Sequence, residues 1–392
     1  MKYTVKEVLQ FIEGNDVRFV RLVFFDISGR RKNLLIMASE LKSAFEKGVP
    51  IPASAVCVDA RDCGELLLVP EPDTLRLQNR QLNQGAAVSL ICSIRRCDGK
   101  FFEGDVRRLL RQTAEKIRSA GLGVYFSISA DFTLIRTDNE GNRTGIPDDC
   151  AGYYAAYPDD RGESVIRRIC LSLEGADIVP LSCCHAKGKG QHTVELKYTE
   201  AMKAADDYQI FRAAAMTCAA ESGLYASFEP CPLNDSQENR LKISIALREA
   251  GENLFTDRGQ GISKRGESFI AGILRYIQET SVFFTKRSCG KKQSMSVGFL
   301  GDDPVLHMAM PGSARARLEF LFADTDCNIF PALTLILNAG LEGIEKEYKM
   351  PDADDKKEYP ELTDMVKAAC ESDFVRRYIP EEILSYYEGA ND

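Results

Sequence analysis

The sequence predicts an α+β fold, with a small mixed domain followed by a larger antiparallel sheet backed by helices. Three observations carry this prediction. At 392 residues the chain is longer than one hydrophobic core fills, and at roughly 150 residues per domain it should hold two to three domains. Strands with one polar face alternate with amphipathic helices along most of its length, and no fixed-period repeat or low-complexity tract interrupts them. The composition, 44% hydrophobic and 28% charged with 29 Gly and 15 Pro, is that of a globular protein and excludes collagenous, coiled-coil and disordered classes.

Thr4 and Glu7 form a capping-box pair ahead of Val5, Val8, Leu9 and Ile12, and Gly14 stops the helix they begin. Residues 19–26 read as a strand turned by Ser28 and Gly29, with further strands at 65–70 and 87–94. Asp98 and Gly99 supply a turn, after which Val106, Leu109, Leu110, Ile117 and Ala120 line one helix face up to Gly121. The domain boundary is placed at this turn, giving domains of 1–98 and 99–392.

Over 124–135, the residues Val124, Phe126, Ile128, Ala130, Phe132 and Leu134 share one face of a strand, so Ser127, Ser129, Asp131 and Thr133 share the other. Thr193, Glu195 and Lys197 alternate with apolar residues in the same way, as do Lys242, Ser244 and Ala246, and Arg317, Glu319 and Leu321. Four strands therefore carry a face that is either a functional surface or plain solvent exposure, and alternation alone does not choose between them.

Charge and targeting signals narrow the function classes. The net charge of −8, from 50 basic and 58 acidic residues, offers no general attraction to polyanions, so no nucleic-acid partner is expected. The longest apolar stretch, 330–341, carries Pro331 and Asn338 and is shorter than the about 20 residues that span a bilayer, so no membrane partner is expected either. The first residues carry neither a secretory nor a transit signal, which makes the cytoplasm the expected compartment. The 13 cysteines are odd in number and show no Cys-x-x-Cys, arguing against a disulfide framework or zinc knuckle; most are expected to be small buried hydrophobes.

The order and wording of many segments resemble type I glutamine synthetases across nearly the whole chain. They include DVRFVRLVFFDISGRRKN at 16–33, DGKFFEGD at 98–105, DRGESVIRR at 160–168, GQHTVELKY at 190–198, FEPCP at 228–232, ENLF at 252–255, FIAGIL at 269–274, RLEF at 317–320 and NAGLEGI at 338–344. The resemblance implies an N-terminal β-grasp domain, a catalytic-type domain with a funnel on an antiparallel sheet, and homo-oligomers of two stacked hexameric rings. It also implies an ATP-dependent glutamate-ammonia ligase reaction with two magnesium ions, which neutralise the phosphate charge during transfer.

The ligand positions depart from that family. Where its first sheet strand presents two glutamates, the matching residues are Ser129 and Asp131. Its HHE…GQHE motif aligns with HAKGKGQHT at 185–193, placing Ala186 and Thr193 where two more glutamates belong. Lys242 occupies the position of the ligating histidine, and only Glu319 survives unchanged. Arg317 resembles a phosphate-side arginine and is the one candidate contact for nucleotide, while the next arginine position is Leu321. Metal binding at the residual candidates Asp131 and Glu319 is therefore not expected, because a lysine donates protons and cannot ligate a hard cation. Instead, the Lys242 ammonium is expected to replace one metal and lie within ion-pair distance of Glu319.

Further positions also depart. The arginine of a phosphate-handling motif aligns with Gln293 in GKKQ, a substrate-binding segment with FLGDD at 299–303, and the aspartate latch of a neighbouring subunit with Pro52. Asp302 would repel glutamate. The run AKGKGQ at 186–191 lacks P-loop spacing and reads as a retained loop. Lys286, Arg287, Lys291 and Lys292 read as a solvated charge run, Cys183 and Cys184 as packing residues near the cavity, His192 as structural, and Glu103 with Asp105 as helix-start chemistry. Together these residues imply a catalytically degenerate glutamine synthetase homologue, a pseudoenzyme without magnesium or ATP that acts by interaction, in its own rings or mixed with an active glutamine synthetase. The alternatives are a ligase of altered specificity using one magnesium and ATP, and a small-molecule sensor that uses the emptied funnel.

Overall fold

The computed structural model describes residues 3–57, 64–77, 86–233, 237–256, 261–285, 294–295, 306–310, 313–351, 357–358 and 362–389. Two compact units emerge. The first comprises residues 1–109, 175–177 and 379–392, and the second comprises 110–174 and 178–378.

The first unit holds a six-stranded sheet of β1 (Val17–Phe25), β2 (Arg31–Met37), β3 (Val49–Pro52), β4 (Glu65–Pro70), β5 (Arg76–Leu77) and β6 (Ala86–Arg96). Its order is β2-β1-β6-β4-β3, with β5 also on β6, and β1 runs parallel to β6 while the other pairs are antiparallel. The expected cap opens α1 (Val5–Gly14): the Glu7 N–H donates to Thr4 Oγ1 at 3.3 Å and the Thr4 N–H to Glu7 Oε2 at 2.7 Å. Helix α2 (Leu41–Lys47) buries Leu41 and Ala44. Strand β2 escaped the sequence reading because it lies at the sheet edge and none of its residues is buried, so no strong alternation marks it.

The helix expected after residue 105 is α3 (Val106–Ser119). Asp105 starts it, its Oδ1 accepting the N–H groups of Arg107 and Arg108 at 3.2 Å each. Glu103, expected to share that role, instead pairs with Arg96 at 2.6 Å, because its side chain faces solvent.

In the second unit a ten-stranded antiparallel sheet is built on β7 (Leu122–Thr137), which pairs with β8 (Arg143–Pro147), β10 (Gln191–Leu196), β11 (Thr199–Glu200), β12 (Leu224–Ser227) and β13 (Arg240–Glu249). The main path is β16-β17-β13-β7-β10-β9, adding β9 (Pro180–His185), β16 (Leu306–Ala309) and β17 (Arg317–Asp324); β14 (Glu252–Asn253) lies on β13. A separate two-stranded pair joins β15 (Ser294–Met295) to β18 (Lys357–Glu358). The helices are α4 (Glu163–Gly175), α5 (Ala201–Ala220), α6 (Lys264–Thr280), α7 (Ile329–Glu345), α8 (Leu362–Glu371) and α9 (Asp373–Tyr378), while α10 (Glu381–Gly389) belongs to the first unit.

The apolar face of β7 is buried as its alternation predicts, with Phe126, Phe132 and Leu134 fully covered. Phe132 meets Phe211 of α5 edge-on at 5.9 Å and stacks on Phe228 at 5.4 Å. Nearly every residue of α7 is buried, and α6 approaches it so closely that a Cβ on Gly272 would lie 2.1 Å from the Ala339 carbonyl oxygen. The core of this unit thus lies on one side of the sheet, and the polar positions are held on the other by the strand period.

The cysteines depart from expectation. Among the described cysteines, Cys57, Cys92, Cys218 and Cys327 are buried, whereas Cys97, Cys150 and Cys183 are exposed and Cys170, Cys184 and Cys370 are intermediate. Cys97 and Cys150 lie beyond strand ends, and Cys183 lies on β9, which ends the sheet path and has a partner strand, β10, on one side. Cys231 is disulfide-bonded.

Candidate functional site

The register across the sheet brings the expected site positions together. Lys242 stands opposite Ser129 and Ser129 opposite Glu195; Thr193 stands opposite Asp131 on one side and Cys184 on the other. Ser244 lies between Ser127 and Glu319, and His307 stands opposite Glu319.

The surviving glutamate is held by cationic side chains. Glu319 Oε1 accepts from Arg317 Nε at 2.9 Å and from its Nη2 at 2.8 Å, and Lys242 Nζ stands 4.0 Å from the same oxygen, the outer limit of an ion pair. Leu321, two residues on, is half-buried and brings no polar group. Arg317, the one candidate nucleotide contact, therefore has its guanidinium already committed to Glu319.

Asp131 is equally occupied. Thr193 Oγ1 donates to its Oδ1 at 2.5 Å and the Arg240 N–H to its Oδ2 at 3.3 Å. Burial pushes its carboxyl above the ordinary carboxylate range, and these two hydrogen bonds with the charges of Arg240 and Lys242 offset only part of that effect. The sequence reading did not count Glu195 in the site, although its carboxylate is on this face, reached by Ser127 Oγ and Ser182 Oγ at 3.4 Å each.

These residues do not fit two magnesium ions, each of which requires about six oxygens in octahedral order. Ser129 and Thr193 replace carboxylates with hydroxyls, and buried Ala186 supplies none. Unit charges of like sign 4 Å apart repel by about 4 kcal/mol at an effective dielectric near 20, twice that for a divalent ion. Lys242 and Arg317 impose that repulsion on any ion at Glu319.

Cys183 and Cys184 point to opposite faces, as neighbours on a strand must. Cys184 sits on the polar face beside Asp131, and burial, followed by the Asp131 charge and Cys183, pushes its thiol up. The glycine-rich loop at 186–191 has its amides in use: the Ala186 N–H donates to Gln191 O, that of Gly188 to Gln191 Oε1 at 2.9 Å and that of Gly190 to Asp149 Oδ1 at 3.1 Å. Gln191 Nε2 reaches Asn239 Oδ1 at 3.0 Å, where Thr133 Oγ1 also donates, so the matched Gln191 ties the loop to β13 and β7. Pro52 is exposed at the end of β3. The positions at 286–293 and 299–303, with Asp302 and Gln293, lie outside the described residues.

A second constellation was not anticipated. His185 Nε2 contacts Asp149 Oδ1 and His192 Nε2 contacts Asp160 Oδ1, both at 2.9 Å, and all four residues are buried. Burial works against ionisation of both partners in the first pair, but their mutual contact and backbone hydrogen bonds prevail. The Asp149 carboxyl is held down to about 2 and the His185 imidazole is raised. His185 and His192 are directly opposed on β9 and β10. Only that pairing, with a loop folded over it, brings Asp149 and Asp160 to them, so no local spacing announces the group.

The profile described as glutamine synthetase, catalytic domain, matches residues 103–290. A glutamine synthetase of Clostridium saccharobutylicum is 28% identical over 362 residues, covering 89% of this chain and 82% of its own, and one from Halobacterium salinarum is also 28% identical, covering 89% and 80%. The chain is thus similar to glutamine synthetases over most of its length. Among solved structures, a Plasmodium falciparum glutamine synthetase shares the fold at a TM-score of 0.87 with 17% identity, covering all of this chain and 95% of its own. A GmaS structure titled as an ADP complex matches at a TM-score of 0.85 with 19% identity, covering 98% and 94%. The α+β class, with its N-terminal sheet domain and helix-backed antiparallel sheet, is thus that of glutamine synthetases. The polar face just described is where Ser129, Asp131, Thr193, Lys242 and Glu319 meet. Among the described residues no helix is long and apolar enough to cross a membrane.

Proposed function

We propose that this glutamine synthetase homologue is catalytically degenerate and acts in the cytoplasm through interaction, as a regulatory partner in nitrogen metabolism. The single observation that supports this reading is the engagement of Glu319 by Arg317 and Lys242 at 2.8 and 4.0 Å. Where family chemistry needs a carboxylate open to a divalent ion, this chain offers a carboxylate neutralised by its own cations. Residues 1–98 serve as the β-grasp domain and 99–392 as the catalytic-type domain, and assembly follows the family's stacked hexameric rings, alone or mixed with an active glutamine synthetase.

The test is an assay of γ-glutamyl hydroxamate formation and phosphate release with magnesium, ATP and glutamate, run on this chain alone and after refolding with an active glutamine synthetase. The reading expects no turnover alone and altered activity of the mixed assembly. Turnover alone contradicts it. Release of phosphate with another acid and amine would establish the ligase of altered specificity, and saturable binding of a nitrogen metabolite without turnover would establish the sensor.

A further inference from the structure

The buried His and Asp pairs converge on one point, away from the polar row of Lys242 and Glu319. One ligand atom from each of Asp149, Asp160, His185 and His192 lies within 4.8 Å of the others, and the two rings meet at 64° with centroids 4.8 Å apart. The other ring nitrogens fix the tautomers. His185 Nδ1 is 2.9 Å from the Ala186 carbonyl oxygen and His192 Nδ1 is 3.2 Å from that of Gly190. A carbonyl only accepts, so each Nδ1 carries a hydrogen and each Nε2 is left facing a carboxylate oxygen. A backbone carbonyl on the far nitrogen is the arrangement that orients metal-bound imidazoles.

A neutral Nε2 and a carboxylate oxygen both present lone pairs. Each 2.9 Å contact is attractive only when a positive charge lies between the atoms: a proton on each ring, or one ion shared by both pairs. Two aspartates and one divalent ion sum to zero charge, which suits a buried group.

We propose that Asp149, Asp160, His185 and His192 form a binding site for one divalent transition-metal ion of the zinc class. Two imidazole nitrogens and two carboxylate oxygens make a four-coordinate set suited to zinc and ill-suited to magnesium, which takes oxygens in octahedral order. Ligands about 2.0–2.2 Å from a tetrahedral ion stand about 3.3–3.6 Å apart, so the two 2.9 Å pairs need to widen slightly while the longer separations, up to 4.8 Å, close by about an ångström, both within reach of small side-chain movements. With all four positions filled by protein the ion is structural, clamping the 148–162 loop onto β9 and β10. A cavity of about 640 Å³, lined by Asp149 with Arg136, Asp148, Cys150, Asp159 and Arg161, gives the ion a path to one of its ligands. Gly162 permits the packing, since a Cβ there would lie 2.5 Å from His192 Cε1. The site does not depend on whether the chain is catalytic.

The test uses the full chain, stripped with a chelator and titrated with zinc and with cobalt(II), alongside His185→Gln and Asp160→Asn. The expected results are about one zinc per chain, no displacement by millimolar magnesium, and a cobalt spectrum of tetrahedral nitrogen and oxygen ligation. Zinc should raise the unfolding temperature of the wild type, and each substitution should weaken uptake by at least the about 10–100-fold that loss of an outer-shell partner costs. Should a variant fail to fold, X-ray absorption of the zinc-loaded wild type decides: two imidazoles with two oxygens support the site. Sulfur ligation, six oxygens, failure to take up stoichiometric zinc, or undiminished uptake by folded variants would overturn it.

Discussion

Two groups of carboxylates lie on the same sheet unit and are partnered in opposite ways. At the polar face, Glu319 is paired with Arg317 and Lys242, permanent cations whose charge no incoming ion can displace. In the buried cluster, Asp149 and Asp160 face the Nε2 atoms of His185 and His192, side chains that, unlike arginine and lysine, can serve as neutral metal ligands. The first arrangement closes a metal position; the second leaves one available. A ligand count alone misses this difference, because what decides is the kind of side chain each carboxylate already faces. The pKa directions follow the same division: burial prevails at Asp131, while hydrogen bonding prevails at Asp149.

The largest effect that would sharpen this contrast is expected from Asp149→Ala, which strands the buried His185 and the backbone N–H groups of Ala151, Arg161 and Gly190. Breaking such a pair costs about 3–5 kcal/mol, measurable by urea unfolding. A loss below about 1 kcal/mol would show that the cluster does not hold the loop. Gly162→Ala should cost about 1–3 kcal/mol, because its Cβ displaces the His192 ring, and zinc should restore less stability to it than to the wild type.

At the polar face the effects are smaller. Double-mutant cycles should give Arg317 and Glu319 a larger coupling than Lys242 and Glu319, with the latter below about 1 kcal/mol, since the lysine is 4.0 Å away and its side chain 32% exposed. The reverse order would mean that the lysine, not the arginine, closes the site. The smallest signal is the pH dependence, read by NMR titration of the two aspartates in the chelator-treated chain. Asp149 should titrate near 2, so its stabilisation is present above the unfolded carboxylate value and lost as pH falls through about 2. Asp131 is raised, so its ionisation costs stability, and that cost sets in as pH rises from the unfolded value through the folded one. Equal midpoints would erase the comparison.

Much of the fold was legible because its strands are half-buried and obey a strict period. Ser129 and Asp131 could be put on one face of β7 from alternation alone, and the capping box of α1 and the turn at Gly99 are local signals. The edge strand β2 has no buried face and left no such signal. In the site, the replacements at Ser129, Ala186, Thr193 and Lys242 were visible through family resemblance, but the hold of Arg317 on Glu319 and the presence of Glu195 required the register. A bulge between Leu241 and Ile243 shifts the pairing of β13 with β17, and no local residue pattern predicts where Lys242 then points. The His185 and Asp149 group depends on a loop closing over two paired strands, which is information of long sequence separation.

The most direct test of the central claim, that the polar face cannot hold a pair of divalent ions, is anomalous diffraction from crystals soaked in manganese and ATP. The account predicts no manganese peak among Asp131, Lys242 and Glu319, with Arg317 still on the Glu319 carboxylate. Two coordinated ions at those residues would contradict it.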